Sequence, residues 1–155
     1  MRRNYKSVLY YIVKFIRLVL RVQVWKVIEV IIEGKTSKLK VLFDTGSTFT
    51  VMGYETLKRL FGDVPVKTLP KPVKATLVNG QQITIDAFVD AQIVIKDYVI
   101  SERIYLSKDI PREVVIEGKR VSLPELIIGA PTMETWGIEL DLEKGDISVR
   151  GGLIL

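Results

Sequence analysis

The sequence contains neither cysteine nor histidine. These two absences exclude a disulfide, a Ser-His-Asp triad, a cysteine nucleophile and a zinc site built from histidine or cysteine ligands. The side chains that remain for acid–base chemistry are those of Asp, Glu, Lys and Tyr. We predict neither a cofactor nor a metal site.

Long apolar runs are also missing, since the uncharged run of residues 7–13 is far shorter than the roughly 18 to 20 residues of a membrane span. The chain has 155 residues, of which 48% are hydrophobic and 26% charged, which is typical of one folded domain with a real core. Its net charge of +5 does not indicate a nucleic-acid partner, because basic and acidic residues alternate over most of the chain and no aromatic-rich basic motif occurs.

Much of the positive excess lies in residues 1–22, which we separate from the domain at residues 23–155. Polar side chains recur there at spacings of three and four, which predicts an amphipathic helix. These positions are Ser7, Tyr10, Lys14, Arg17 and Arg21. One interpretation is a helix packed on the domain or on a partner subunit, and the other is a basic helix on an anionic membrane surface. The β-branched content also permits a strand. We expect a cytoplasmic protein, associated with a membrane only under the second interpretation.

From residue 22 onward the apolar pattern has a period of two, which predicts a mostly β domain. The predicted strands and hairpin arms are Val24–Ile32, Leu39–Phe43, Lys74–Val89, Ala91–Ile95, Tyr98–Leu106, Val114–Ile116, Arg120–Ser122, Ile138–Leu142 and Asp146–Val149. Short helices are predicted at Tyr54–Phe61 and Thr132–Trp136, and an extended connection is predicted around Pro65, Pro70 and Pro72.

One carboxylate, Asp44, lies between two apolar runs in residues 41–51, which read V-L-F-D-T-G-S-T-F-T-V. Burying a charged carboxylate there is unfavourable unless hydrogen bonds or chemistry compensate. Gly46 permits close backbone approach, and Thr45 and Ser47 supply hydroxyl groups. The motif alone fits two interpretations: a strand that ends in an Asx or Ser/Thr turn, or a catalytic carboxylate.

Two later segments bear on this choice. Asn79-Gly80, between the alternating arms of Lys74–Val89, predicts a type I′ hairpin. The fully apolar run Leu126–Gly129 ends in a glycine, and Pro131 then suits the first turn of a short helix. Near the C-terminus, the acids at 141, 143 and 146 lack the spacing of a calcium loop, and a solvated turn is the favoured interpretation.

The segments L-F-D-T-G-S-T at 42–48, the N-G hairpin and L-I-I-G-A at 126–130 together resemble the retroviral-type aspartic proteases, the retropepsins. The resemblance covers about residues 24–150. It implies an all-β fold, namely a small closed barrel with one or two short helices, a flap hairpin over the cleft, and a homodimer with two Asp-Thr-Gly loops side by side. Retroviral flaps are rich in glycine, whereas this hairpin has only Gly80.

The resemblance also implies roles for individual residues. Asp44 matches the catalytic aspartate, and Thr45 matches the threonine that braces the two loops across the dimer. Gly46 matches the glycine that lets the carboxylates lie coplanar, and Ser47 the small residue that supports the carboxylate. The matching flap residues are Val78, Asn79, Gly80 and Gln81, and those of the second supporting loop are Ile127, Ile128 and Gly129.

The residue inventory fits this chemistry, because hydrolysis of an amide without His, Cys or metal needs a carboxylate as base and another as acid. Two carboxylates held close cannot both ionise readily, so they share a proton. The chain has a single Asp-Thr-Gly, and we therefore expect a homodimer that cleaves protein or peptide substrates, best at mildly acidic pH. The alternative is a peptide-binding or dimerisation module with little or no proteolytic activity.

Overall fold

The computed structural model describes residues 23–76 and 82–150. The predictions for residues 1–22 and for the flap residues Val78, Asn79, Gly80 and Gln81 lie outside these ranges. The strands are β1 (Gln23–Ile32), β2 (Lys35–Asp44), β3 (Val51–Gly53), β4 (Lys67–Thr76), β5 (Gln82–Ile95), β6 (Tyr98–Ser107), β7 (Glu113–Ile116), β8 (Lys119–Ser122), β9 (Leu126–Gly129), β10 (Ile138–Asp141) and β11 (Asp146–Val149). The helices are α1 (Tyr54–Phe61) and α2 (Ala130–Trp136).

Six of these strands close a barrel in the order β1-β2-β9-β3-β6-β5, and antiparallel pairing of β1 with β5 completes the ring. Strand β4 pairs with β5 outside the ring and forms an edge. The pairs β7–β8 and β10–β11 form separate two-stranded sheets. The predicted closed β-barrel with two short helices is therefore confirmed.

The core fills the barrel with aliphatic and aromatic side chains from its inward strand positions. Fully or almost fully buried members include Val30, Leu39, Val41, Phe43, Ile93, Ile104, Leu106 and Ile128. Helix α1 adds Leu57 and Phe61, and the C-terminal hairpin adds Ile138 and Ile147. Each such side chain stabilises the fold by roughly 1.5–3 kcal/mol relative to exposure.

Two Glu-Gly turns set the register of their hairpins. Glu33 and Gly34, between β1 and β2, have φ values of 50° and 74°. Glu117 and Gly118, between β7 and β8, have φ values of 51° and 75°. Positive φ at both central residues is the type I′ geometry that matches the twist of antiparallel strands. The strands that form both hairpins were predicted from the sequence.

Helix α1 ends at the glycine that the sequence indicates. Gly62 has φ 67°, and its N–H donates to the carbonyl oxygen of Lys58 at 3.0 Å. The ammonium group of Lys35 donates to the Phe61 carbonyl at 3.1 Å, which places a cation at the negative end of the helix. Among the described residues, no helix is long and apolar enough to span the bilayer.

The region after α1 differs from the sequence prediction. Pro70 and Pro72 lie within strand β4 rather than in a connection, in the stretch where pairing with β5 shifts register between Thr68 and Val73. Proline is tolerated there because an edge strand leaves one set of N–H groups unpaired. Strand β5 is continuous over Gln82–Ile95, whereas the pattern predicted two strands.

Ion pairs attach the C-terminal hairpin to the barrel. Asp146, at the start of β11, contacts the ammonium groups of Lys26 on β1 and Lys96 in the β5–β6 turn, both at 2.9 Å. Hydrogen bonds from Lys26 and then Lys96, with a backbone N–H of Ile147, hold the pKa of the Asp146 carboxyl well below its usual range. Both lysines therefore stabilise the ionised form of the Asp146 carboxyl group.

Candidate active site

Asp44 is the last residue of β2 and is 1% exposed. The backbone N–H of Gly46 donates to its Oδ1 at 2.9 Å, and the side-chain amide of Gln23 donates to its Oδ2 at 3.4 Å. The N–H of Ser47 donates to the Asp44 carbonyl at 3.0 Å, which closes the turn. Both carboxylate oxygens are thus held in fixed directions at the end of a buried strand.

A second loop supports the first because β9 runs parallel to β2. The pairing places Gly129 beside Asp44 and Ile127 beside Leu42. A Cβ atom at Gly129 would lie 2.6 Å from the Ser47 carbonyl oxygen, closer than real contacts allow. The N–H of Ala130 donates to that same oxygen at 2.9 Å. Only glycine lets the two loops approach this closely.

A buried pair of hydroxyl groups joins the first loop to helix α2. Thr50 Oγ1 and Thr132 Oγ1 are 2.7 Å apart, and Thr50 Oγ1 also accepts from the N–H of Gly129 at 3.2 Å. Neither of these threonines, nor Gln23, was predicted from the sequence as a site residue. A polar residue inside the apolar run Phe49–Val51 was the available signal for Thr50, but nothing in the sequence pairs it with Thr132.

The residues predicted to support the carboxylate lie in different parts of the site. Gly46 and Ser47 are in the turn around Asp44, and the Ser47 hydroxyl donates to the Phe49 carbonyl at 2.8 Å rather than to the carboxylate. Thr45 is exposed. In the second loop Ile127 lines the cavity described below, whereas Ile128 is fully buried in the core.

A cavity of about 210 Å³ opens beside Asp44. One wall is formed by apolar side chains of the barrel and of the β4–β5 hairpin, namely Phe49, Val51, Ile83, Ile85 and Ile127. Lys74, Ala75 and Thr76 on β4 complete the lining on the hairpin side. This cavity can hold an apolar side chain within reach of a carboxylate.

Two of the grooves elsewhere on the surface are much larger than this cavity. One, of about 600 Å³, is lined by Asp90, Glu102 and Arg103, among others, and does not include Asp44. The other, of about 630 Å³, is lined by Thr45 together with Met133 and residues of β10. The second groove thus adjoins the Asp-Thr-Gly loop at Thr45.

The paired arms of β4 and β5, where the flap is predicted, line one side of the cavity. Ala75 pairs with Ile83, and Thr76 pairs with Gln82 at the last described position of each arm. The inward side chains of the arms, Ile83 and Ile85, are buried against the cavity wall.

Comparison with known proteins agrees with this geometry. A family model described as an aspartyl protease matches residues 28–132. The chain is similar to the retroviral protease-like domain of Ddi1 from Leishmania major, with a TM-score of 0.52 and 15% identity over 84% of this chain and 90% of that one. It is also similar to the EIAV protease complexed with the inhibitor HBY-793, with a TM-score of 0.50 and 19% identity over 76% of this chain and 93% of that one. Among curated protein sequences, none matches this chain significantly. The structural likenesses confirm the retropepsin-like fold.

Proposed function

Because the chain belongs to the aspartyl protease family, we propose that it is an aspartic endopeptidase that hydrolyses peptide bonds in extended polypeptides. The observation that supports this most directly is the buried carboxylate of Asp44 at the end of β2, held by Gly46 and Gln23 beside an apolar cavity. A carboxylate in that setting is suited to general acid–base catalysis, because a bound substrate would exclude water from the cavity beside it.

One Asp44 is not sufficient for this chemistry, since a general base and a general acid are both required. The sequence contains a single Asp-Thr-Gly, so the second carboxylate would come from a second copy of the chain. The exposed Thr45 and the adjoining groove of about 630 Å³ offer a surface on which that copy can dock. The proposed enzyme is therefore a symmetric homodimer with one shared active site.

In this dimer the two Asp44 carboxyl groups hold one proton between them, because like charges in close contact resist full ionisation. The ionised carboxylate takes a proton from a water molecule as that water attacks the scissile carbonyl carbon. The protonated carboxyl donates its proton to the carbonyl oxygen, which gives a neutral tetrahedral intermediate. Activity is expected to be highest at mildly acidic pH, where the pair carries that single proton.

The substrate would bind in extended form, with its backbone along the flap arms and one apolar side chain in the cavity lined by Val51, Ile85 and Ile127. The apolar wall of this cavity favours an apolar side chain at that position.

The substitution Asp44→Asn tests the proposal. We expect it to lower the rate of β-casein digestion by at least about a hundredfold, the lower end of general acid–base contributions. Asp90→Asn is the matched control, because Asp90 is an exposed strand carboxylate that is paired with Lys67. Asp90→Asn should digest β-casein at the wild-type rate. Both variants should be compared with the wild type from pH 4 to pH 8.

The shared active site is tested by mixing wild-type subunits with Asp44→Asn subunits. Excess Asp44→Asn subunits should reduce wild-type activity, because mixed dimers contain only one aspartate. Wild-type activity that is unaffected after subunit exchange, or a strict monomer in sedimentation at high concentration, would refute the dimer. If β-casein binds without being cut by the wild type, the chain is a peptide-binding module instead.

A further inference from the structure

The side chain of Gln23 reaches the Asp44 carboxylate from the neighbouring strand. The two residues are directly paired, at the first position of β1 and the last position of β2. Paired residues of an antiparallel ladder have their side chains on the same face of the sheet. The Gln23 amide nitrogen lies 3.4 Å from Oδ2 of Asp44, and the Gly46 N–H donates to Oδ1 at 2.9 Å. Each carboxylate oxygen therefore has its own donor within the chain.

The two donors determine where a proton can lie on the Asp44 carboxyl group. The Gly46 N–H can only donate, so Oδ1 acts as its acceptor in both the ionised and the protonated form. A proton on this carboxyl group therefore lies on Oδ2, the oxygen that the Gln23 amide contacts. A hydrogen bond donated to a carboxylate favours the ionised form, and the amide has this effect without adding a charge.

Burial shows which of the two residues depends on the contact. Gln23 is exposed, so its amide can form hydrogen bonds with water and does not need the carboxylate as a partner. Asp44 is 1% exposed. A buried carboxylate loses most of its hydration and stays ionised only where donors replace the water. The contact therefore matters for the ionisation of Asp44 rather than for the burial of Gln23.

We propose that Gln23 is a positioning residue that orients the Asp44 carboxyl group and favours its ionised form, the form that acts as general base. The inference rests on the proposed function, because it assigns that role to Asp44. In a symmetric dimer each Asp44 has a Gln23 of its own chain. Both limbs of the pH–rate profile should therefore lie at lower pH than they would without the amide.

Other charged groups near the Asp-Thr-Gly loop are the same in every variant at position 23. Among the described residues that line the cavity, Lys74 on β4 is the only charged side chain besides Asp44. The groove beside Thr45 is lined by the charged side chains of Glu134, Glu139 and Arg150. Arg150 pairs with Glu139. The Asp44 of the second copy adds one more carboxyl group in the proposed dimer. A shift of the profile in a variant at position 23 therefore reports the donor that was lost or added.

The test changes the donor and keeps an unbranched side chain at position 23. Gln23→Met removes the donor, and Gln23→Lys replaces it with a charged one. The rate of β-casein digestion is measured from pH 3 to pH 8 for each variant and for the wild type. Gln92→Met and Gln92→Lys are the matched controls, because Gln92 is an exposed glutamine of β5 in the groove of about 600 Å³ that does not include Asp44.

We expect Gln23→Met to move both limbs of the profile to higher pH by about 0.5 to 1 unit, the effect of one net hydrogen bond to the ionised form. Gln23→Lys should move both limbs to lower pH, since a nearby cation favours the carboxylate. The opposite directions separate this effect from a loss of stability, which would lower the rate at every pH. The Gln92 variants should keep the wild-type profile. Unchanged limbs in both Gln23 variants, or the same proportional loss at every pH, would overturn the inference while the endopeptidase stands.

The endopeptidase proposal can fail separately. Carbon-13 NMR of protein labelled at aspartate follows the titration of the Asp44 carboxyl group without substrate, and the signal absent from Asp44→Asn assigns it. If the wild type does not cut β-casein at any pH, the endopeptidase proposal is wrong. A titration midpoint that is higher in Gln23→Met than in the wild type would then still show that the amide favours the ionised carboxylate. Equal midpoints in these two proteins would overturn the inference whatever the activity.

Discussion

The hydroxyl pair of Thr50 and Thr132 connects the Asp-Thr-Gly loop to α2, and its two members should contribute unequally to stability. Both residues are buried, with exposures of 4% and 6%. Thr50 makes two of the contacts, one with the Thr132 hydroxyl and one with the Gly129 N–H, whereas Thr132 makes only the first. We expect Thr50→Val to lower the free energy of unfolding more than Thr132→Val.

The magnitudes follow from the groups that each substitution leaves without a partner. Valine in place of Thr50 removes the acceptor of the Gly129 N–H and the partner of the Thr132 hydroxyl. A buried unsatisfied group costs about 1–3 kcal/mol, so the two together should cost about 3 kcal/mol. Thr132→Val leaves the Gly129 bond intact and should cost about 1 kcal/mol.

Urea unfolding of the two single variants and of the double variant measures these values. In the double variant the Thr132 hydroxyl is gone, so its loss should be smaller than the sum of the single losses. Thr36→Val, an exposed threonine on β2, is the control and should change the free energy of unfolding by less than about 0.5 kcal/mol. Equal losses in the two single variants, or a loss below about 0.5 kcal/mol for Thr50→Val, would refute the reasoning.

Two further substitutions have clear expectations. Gly129→Ala should lower the free energy of unfolding by about 1–3 kcal/mol, because its Cβ would lie 2.6 Å from the Ser47 carbonyl oxygen, and an unchanged urea midpoint would contradict this. Asp146→Asn should lower Tm at pH 7, where the carboxylate pairs with Lys26 and Lys96. Because these partners depress its pKa in the folded state, the stabilisation is present above the ordinary pKa of about 3.9 and is lost as the pH falls through the lowered value. The two Tm curves should therefore converge toward acid pH, and a gap that does not change with pH would exclude the ion pairs as its cause.

Local signals in the sequence predicted much of the fold. The Glu33-Gly34 turn and the Gly62 helix stop depend on backbone conformations that glycine adopts readily, so residue type alone indicates them. Asp44 and Gly129 were predicted as site residues for a related reason. Each lies at the end of an apolar run and is followed by small residues. The structure places these two residues side by side on parallel strands.

Contacts that depend on strand register could not be predicted. Thr50 and Thr132 are 82 residues apart, and only the packing of β9 against the first loop brings their hydroxyls together. The alignment of Trp25 with Leu42, and of Leu42 with Ile127, likewise depends on strand register. The part of strand β4 before Lys74 was predicted as a connection because Pro70 and Pro72 disfavour a central strand, and the edge position of β4 is a property of the whole sheet.

The two sequence interpretations of Asp44, a turn-forming residue and a catalytic one, share one geometry. The Gly46 N–H that closes the Asx turn donates to Oδ1, and this bond also fixes the direction in which the carboxyl group faces a partner. Asparagine keeps an acceptor oxygen at that position but cannot exchange a proton, so Asp44→Asn should retain the turn. Alanine at position 44 removes both the acceptor oxygen and the exchangeable proton. We therefore expect Asp44→Asn to unfold in urea near the wild-type midpoint and to be inactive, and Asp44→Ala to be inactive and less stable by about 1 kcal/mol for the lost hydrogen bond. A large loss of stability in Asp44→Asn would mean that its inactivity cannot be assigned to the lost carboxylate.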